Sequence, residues 1–166
     1  MSDLEIRPVR PGDLPSLANA GEDGYFADRL AKQHEGHGVL LGAWRTGQAI
    51  GSAYLWLDEA EEPEIRQHLP NTPLITHVEI FDADERNRGF GTELMDRAEQ
   101  MLWERGYTRV ALAVEVSNDA AARLYRRRGY QDWGHDTISC MGRVWEEDGT
   151  FTEYEEKCYV LTKKRD

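Results

Sequence analysis

The chain has little cysteine and no long apolar run. Cys140 and Cys158 are its two cysteines and they form no CxxC motif, so we expect free thiols in a reducing compartment. No segment approaches the roughly 18 apolar residues that cross a bilayer. Residues 1–5 lack the basic and apolar regions of a signal peptide. We therefore expect a cytoplasmic protein with no membrane partner.

Basic residues are also scarce relative to acidic ones. Lys and Arg total 20 against 31 Asp and Glu, and the formal net charge is −11. Nucleic-acid affinity depends on clustered basic side chains, so we expect no nucleic-acid partner. The acidic balance suits a cationic small substrate. His34 and His37 have no cysteine or acidic pattern to complete a zinc site, so no metal is predicted.

The composition is that of a globular protein, with 40% hydrophobic and 31% charged residues. This length fits one domain, and we expect residues 1–166 to form it. Apolar periodicity predicts helices at 13–18, at 25–34, from the turn at Gly89 to Gly106, and from Asn118 to Gly129. Strands are predicted at 4–9, 39–44, 49–56, 74–81, 110–114, 130–133 and 150–161, with an acidic surface connection at 58–64.

Two glycines, Gly89 and Gly91, lie where the strand at 74–81 gives way to a helix. Bare backbone N–H groups and the helix dipole predict an anion site there, such as one for a diphosphate. Leu94 stands where a dinucleotide-binding GxGxxG motif needs its third glycine, and the chain has no GxxxxGK[ST] motif. Dinucleotide and nucleoside-triphosphate sites are therefore disfavoured.

A second motif follows one strand later. It has the form Asn-x-x-Ala-x-x-x-Tyr-x-x-x-Gly-Tyr and consists of Asn118, Ala121, Tyr125, Gly129 and Tyr130. Together with Arg-x-x-Gly-x-Gly at 86–91, it resembles the GNAT superfamily of acyl-CoA-dependent N-acyltransferases. The resemblance is sharpest over residues 74–130, and the order of the other elements fits the family.

The resemblance implies a mixed α+β fold of the GNAT type. Its central sheet is mixed and mostly antiparallel, flanked by helices, with two central parallel strands splayed apart for the pantetheine arm of acetyl-CoA. It implies that backbone groups of Glu79, Ile80 and Phe81 bind pantetheine. The diphosphate site implied by the resemblance comprises Arg86, Asn87, Arg88, Gly89, Phe90, Gly91 and Thr92.

The family transfers the acetyl group directly to a neutral amine. The resemblance assigns Tyr125 as the acid that protonates the leaving thiolate, and a tyrosine is protonated at neutral pH. Asn118 is expected to cap its helix and to bind the cofactor.

The general base is less defined. Strand alternation places His77, Glu79 and Phe81 on one face and Thr76, Val78 and Ile80 on the other. Glu79 is the first candidate, with His77, Glu115 and ordered water as alternatives. Relatives that acetylate ribosomal protein N-termini carry a glutamate where this chain has Ala113.

The sequence thus predicts an acetyl-CoA-dependent N-acetyltransferase acting on a primary amine of a small cationic molecule. Candidate acceptor contacts are Tyr25, Trp44, Trp56 and the acidic 58–64 segment, because aromatic rings and carboxylates suit a cation. The alternatives are a protein N-terminal or lysine acetyltransferase and a non-catalytic acyl-CoA sensor. Acyl length and a homodimeric state stay open.

Overall fold

A computed structural model describes residues 3–18, 23–81, 85, 88–146 and 148–166. Its strands are β1 Leu4–Pro8, β2 Gly38–Arg45, β3 Gln48–Trp56, β4 Leu74–Ile80, β5 Arg109–Glu115, β6 Gln131–Asp132, β7 Ile138–Trp145 and β8 Phe151–Lys164. The helices are α1 Leu14–Ala18, α2 Asp23–His34, α3 Pro63–His68, α4 Phe90–Glu104 and α5 Asp119–Arg127, with a 3-10 turn at Pro11–Asp13 before α1.

One sheet runs in the order β1-β2-β3-β4-β5-β8-β6, and β7 pairs with β8. The pairing of β4 with β5 is parallel and the other pairings are antiparallel. The β4–β5 register contains one pair, Leu74 opposite Ala111, and the Ala111 N–H donates to Pro73 O at 3.0 Å. Beyond that pair the two strands diverge. The predicted mixed sheet with splayed central strands is confirmed.

Helix α4 packs on one face of the sheet through a stripe at helical spacing. Leu94, Met95, Ala98 and Leu102 are buried in the largest core cluster, together with apolar residues of β2, β3 and β5. Gly106 follows the helix with φ +93°, a left-handed conformation that glycine adopts without strain. The helix predicted between Gly89 and Gly106 is therefore confirmed. On the opposite face, α1 and α2 pack against β2 and β3.

Strand β4 contains a bulge at His77, which has φ +51°. The register with β3 shifts there, because Ser52 pairs with Glu79 whereas Tyr54 pairs with Thr76. Ile75, Val78 and Ile80 consequently all contact the α4 core, although strict alternation would separate Ile75 from Val78. The expectation that Thr76 shares a face with Val78 and Ile80 is therefore wrong, because the bulge at His77 shifts the alternation.

The C-terminal strands differ from the prediction. The strand expected at 130–133 is reduced to two residues, and β8 reaches Lys164. Strand β7, which the sequence analysis did not identify, pairs with the first half of β8 to form a hairpin. Gly142 within β7 lies so close to the Tyr154 ring that a Cβ there would meet it at 2.3 Å.

None of the helices in the described ranges is long and apolar enough to span a membrane.

Candidate active site

The turn before α4 has the geometry of an anion site. Gly89 is the N-cap residue with φ +83°, and a Cβ at Gly89 or Gly91 would have open space around it. The start of this 15-residue helix presents backbone N–H groups with the positive end of the helix dipole. The side chain of Arg88 is 46% exposed and lies 3.3 Å from Glu85. Arg86 and Asn87, predicted to belong to this site, lie outside the described residues.

The remaining predicted residues of the turn divide into two kinds. Phe90 is buried and packs into the α4 core, so its side chain has a structural role. Thr92 is half-buried in the first turn of α4. The open space beside Gly89 and Gly91 and the widening gap between β4 and β5 fit a phosphate-bearing thioester cofactor with an extended arm.

A cavity of about 400 Å³ opens between β4 and β5 and is closed on its far side by α2 and the β7–β8 hairpin. The predicted cofactor residues at the end of β4, Glu79 and Ile80, and the following Phe81 do not line it. The Phe81 N–H donates to Ile50 O at 2.8 Å, so that donor is engaged within the protein. The functional candidates on the cavity wall are Tyr25, Arg29, Trp56, His77, Glu115, Asn118, Tyr125 and Glu156.

Tyr125 reaches the cavity from α5, whose position is fixed by its N-cap. The Asn118 Oδ1 accepts a hydrogen bond from the Ala121 N–H at 3.2 Å, which confirms the predicted cap. Seven residues separate Asn118 from Tyr125, which is about two helical turns and places both on the same face. Burial raises the pKa of Tyr125, so its hydroxyl keeps its proton at neutral pH.

Carboxyl groups form another part of the wall. Glu115 ends β5, on the same strand as Ala113, and contacts Glu156 of β8. Burial, the charge of Glu115 and a hydrogen bond with Glu115 together raise the pKa of Glu156. Burial likewise raises the pKa of Glu62, which lines the cavity. The site therefore combines a protonated phenol with a wall of closely spaced carboxyl groups.

His77 and Glu79 lie together beside this cavity. The His77 Nε2 is 3.4 Å from Glu79 Oε2, and the imidazole stacks on the Tyr25 ring with centroids 4.1 Å apart. His77 is among the residues that line the cavity, whereas Glu79 is not. The bulge thus brings the imidazole, and not the first-choice carboxylate, to the wall.

The predicted acceptor contacts are only partly brought together. Tyr25 and Trp56 line the cavity, as do Glu61 and Glu62 of the acidic segment. Trp44 does not, because it is 5% exposed in the core beneath α1 and α2, with the Arg7 guanidinium 3.9 Å from its ring.

No cluster of three or more potential metal ligands occurs within the described part of the chain.

Sequence reasoning missed Arg29 and Glu156, together with the adjacent thiols Cys140 and Cys158 on the same wall. Glu156 and Cys158 are two residues apart on β8, so period-two alternation would have placed them on one face. No sequence signal linked Arg29 to the site.

Tyr130, the last residue of the second motif, has a structural environment. Its hydroxyl donates to the buried Glu99 Oε2 at 2.8 Å. Lys163 Nζ lies 2.8 Å from Glu99 Oε1, and Arg128 is 3.3 Å from Glu99 Oε2. The Glu99 carboxylate thus joins α4 to β8 and to the residue that follows α5. The ring of Tyr130 in turn packs against the ring of Tyr125, with centroids 5.9 Å apart.

Comparison with known proteins gives the same assignment. The model of the acetyltransferase (GNAT) family matches residues 5–130. An uncharacterized N-acetyltransferase of Methanocaldococcus jannaschii is 31% identical over 46% of this chain and 30% of its own length. A mycothiol acetyltransferase of Corynebacterium aurimucosum is 34% identical over 40% of this chain and 22% of its own length. The matches thus span less than a third of these relatives.

A solved structure shares the fold over the whole chain. It is the PaiA N-acetyltransferase of Thermoplasma acidophilum in complex with coenzyme A, which has a TM-score of 0.70 and 17% identity, covering 99% of this chain and 100% of that one. At this identity the likeness establishes the fold. The family model covers most of the chain, and it includes both sequence motifs and the splayed strands. The protein belongs to the acetyltransferase (GNAT) family.

Proposed function

We propose that this protein transfers an acetyl group directly from acetyl-CoA to a primary amine, and that the acceptor is a small molecule whose reacting end is cationic. The observation that carries the proposal is the cavity beside the splayed strands. It brings Tyr125 into one space with the carboxyl pair Glu115 and Glu156. Membership of the family supports the same reaction.

Acetyl-CoA supplies the acetyl group as an activated thioester. In the proposed complex, the turn at 86–92 holds the diphosphate with backbone N–H groups, and Arg86 and Arg88 add positive charge. The pantetheine arm follows the edge of β4 at Glu79 and Ile80 into the gap beside β5. Asn118 holds the start of α5 at the far side of that gap.

Tyr125 acts as the acid in this proposal. The departing sulfur becomes a thiolate, and a hydroxyl whose pKa is raised by burial still carries the proton that the thiolate needs. Because the phenol sits on a capped helix, its position is set before the cofactor binds.

The carboxyl pair acts on the other reactant. An amine enters as an ammonium ion, which the negative charge of Glu115 and Glu156 attracts. A carboxyl group whose pKa is raised is a stronger base than an ordinary glutamate, so Glu156 is the proposed proton acceptor. Glu79 stays a second candidate for the general base. It would act through His77, the cavity-lining imidazole that its carboxylate contacts.

The test begins with calorimetry of acetyl-CoA binding and continues with thiol release against a panel of amines. Tyr125→Phe is expected to bind acetyl-CoA with unchanged affinity and to lose about 10²-fold in kcat. Tyr107→Phe, which removes a hydroxyl outside the cavity, is the matched control. Unchanged turnover in Tyr125→Phe would rule out its acid role.

The same panel separates the alternatives. Acetyl-CoA binding without turnover of any amine or peptide would indicate a sensor and contradict the proposed activity. Turnover of peptides in preference to small amines would indicate a protein N-terminal or lysine acetyltransferase. To identify the base, the pH profiles of kcat/KM are compared for Glu156→Gln and Glu79→Gln, and the variant that loses the acidic limb identifies the residue.

A further inference from the structure

Arg29 of α2 is a buried cation on the wall of the active-site cavity. It is 7% exposed, and its Cζ lies 5.2 Å from the ring of Tyr25, 4.8 Å from Tyr54 and 5.4 Å from Trp56. Three aromatic faces therefore surround the guanidinium. They stabilise its charge but offer no hydrogen-bond acceptor in the plane where its N–H groups point.

Two of the three guanidinium nitrogens of Arg29 find no hydrogen-bond acceptor among the described residues. Its Nε and Nη1 are shielded from solvent and donate no hydrogen bond. The nearest carboxylate atom is Asp28 Oδ2 at 3.6 Å from Nη1, and that oxygen already accepts from Lys32 Nζ at 3.0 Å. A buried guanidinium in a native protein normally has its N–H groups paired, so an acceptor is missing here.

The second cavity-lining arginine behaves differently. Arg143 Nη2 donates to Glu61 Oε2 at 3.1 Å, a hydrogen-bonded carboxylate that Arg29 lacks. The Arg143 Nε, like the Arg29 Nε, donates no hydrogen bond, but it lies 3.7 Å from a second carboxylate, Glu153 Oε2. Its charge is thus neutralised within the protein. The turn at Gly89 and Gly91 does not line the cavity, so the diphosphate of acetyl-CoA is not the missing partner of Arg29.

We propose that Arg29 binds a carboxylate of the acceptor, so that the acceptor is an amino-acid-like molecule with an amine at one end and a carboxylate at the other. This inference rests on the proposed function, which requires only that the reacting end be an amine. The cavity favours a monoanion, because a single guanidinium with unsatisfied donors shares the cavity wall with several glutamates, and a phosphate dianion would need more positive charge. A planar carboxylate also matches the guanidinium geometry.

The experiment uses pairs of amines that differ only in the carboxylate. Free amino acids with increasing separation between amine and carboxylate are each compared with their carboxamides, at saturating acetyl-CoA. For at least one separation, the wild type is expected to favour the acid by roughly ten- to a hundred-fold in kcat/KM. The difference should appear in KM, because the contact is remote from the reacting atoms.

Arg29→Met should reduce that preference to below about threefold while retaining turnover of the carboxamide, and Arg29→Lys should keep part of it. Arg143→Met removes the same charge from the same cavity and should leave the acid-to-amide ratio unchanged. Equal use of acid and amide by the wild type would overturn the inference. So would an equal loss of both substrates in Arg29→Met, since that would indicate a purely structural cation.

A binding measurement keeps the inference testable without turnover. N-acetyl amino acids and N-acetyl amino amides are titrated into the protein saturated with coenzyme A, and melting confirms that each variant is folded. Binding that depends on the carboxylate, is lost in Arg29→Met and is partly retained in Arg29→Lys supports the role of Arg29 even if no acetylation is detected. Equal binding of acids and amides, or binding of neither, contradicts it.

Discussion

Glu156, the proposed proton acceptor, has a raised pKa that lowers the stability of the folded protein at neutral pH. Its carboxyl group is disfavoured as an anion by burial and by the charge of Glu115, which raises its pKa above the ordinary value of 4.5. The folded protein therefore holds this proton more tightly than the unfolded chain does. Stability from this group is greatest below pH 4.5 and falls as the pH rises through the raised pKa.

Glu156→Gln should consequently melt higher than the wild type at pH 7 to 8, by about 1–3 °C for a chain of this size after allowance for solvent screening. The gain should fade as the pH falls through the raised pKa and vanish below pH 4.5, where the wild-type carboxyl group is protonated in both the folded and the unfolded state. Thermal melting of both proteins from pH 4 to 8 measures this difference in melting temperature. Glu104→Gln, at an exposed carboxylate, should show no such gain, and a constant difference for Glu156→Gln at every pH would contradict the assignment.

Residue positions were predictable where a sequence spacing determined them. The seven-residue interval from Asn118 to Tyr125 fixes a helical face, so sequence alone placed the phenol and the cap in one region. Arg29 and Glu156 had no such signal, because they reach the cavity from α2 and β8 through tertiary packing. Trp44 was misplaced for the same reason, since aromatic character does not reveal which side of β2 faces the site.

At the scale of elements, the bulge in β4 decides which side chains meet the cavity. Period-two alternation has no means of predicting an extra residue, and nothing in the local sequence marks His77 as left-handed. By contrast, the helix between Gly89 and Gly106 and the buried strand β5 followed from strong apolar patterns. Strand β7 was missed because Gly142 interrupts its apolar pattern. Its strand conformation depends on pairing with β8, and the sequence of residues 138–145 alone does not reveal that partner.

The bulge leads to a stability prediction. His77→Gly and His77→Val both remove the imidazole stack on Tyr25, so their difference reports on the backbone. At φ +51° a β-branched residue is strained, and we expect the valine variant to be less stable than the glycine variant by about 1–2 kcal/mol. Urea unfolding gives the free energies.

The matched control is the same pair of substitutions at Glu79, two residues along the strand and outside the left-handed region. There the order should reverse, with glycine less stable than valine by about 0.5–1 kcal/mol, because glycine loses more conformational freedom in an extended strand. The same order at both positions would contradict a bulge centred on His77.

At the scale of the whole molecule, the net charge of −11 acts on the acceptor before any contact forms. A long-range field attracts a ligand according to its net charge, whereas Arg29 and the carboxyl pair are proposed to recognise separate groups of the acceptor at short range. A diamine and an amino acid of equal chain length therefore distinguish the two effects. Both carry the reacting ammonium, but the amino acid is neutral overall.

Raising the salt from about 0.01 M to 0.1 M shortens the Debye length from about 30 Å to about 10 Å and screens the long-range field. At saturating acetyl-CoA, we expect kcat/KM for the diamine to fall several-fold and that for the amino acid to change by less than about twofold. The kcat values should stay constant, because the field affects encounter and not the bound complex. Equal salt dependence for the two acceptors would show that the acidic surface does not select them, leaving selection to the cavity wall.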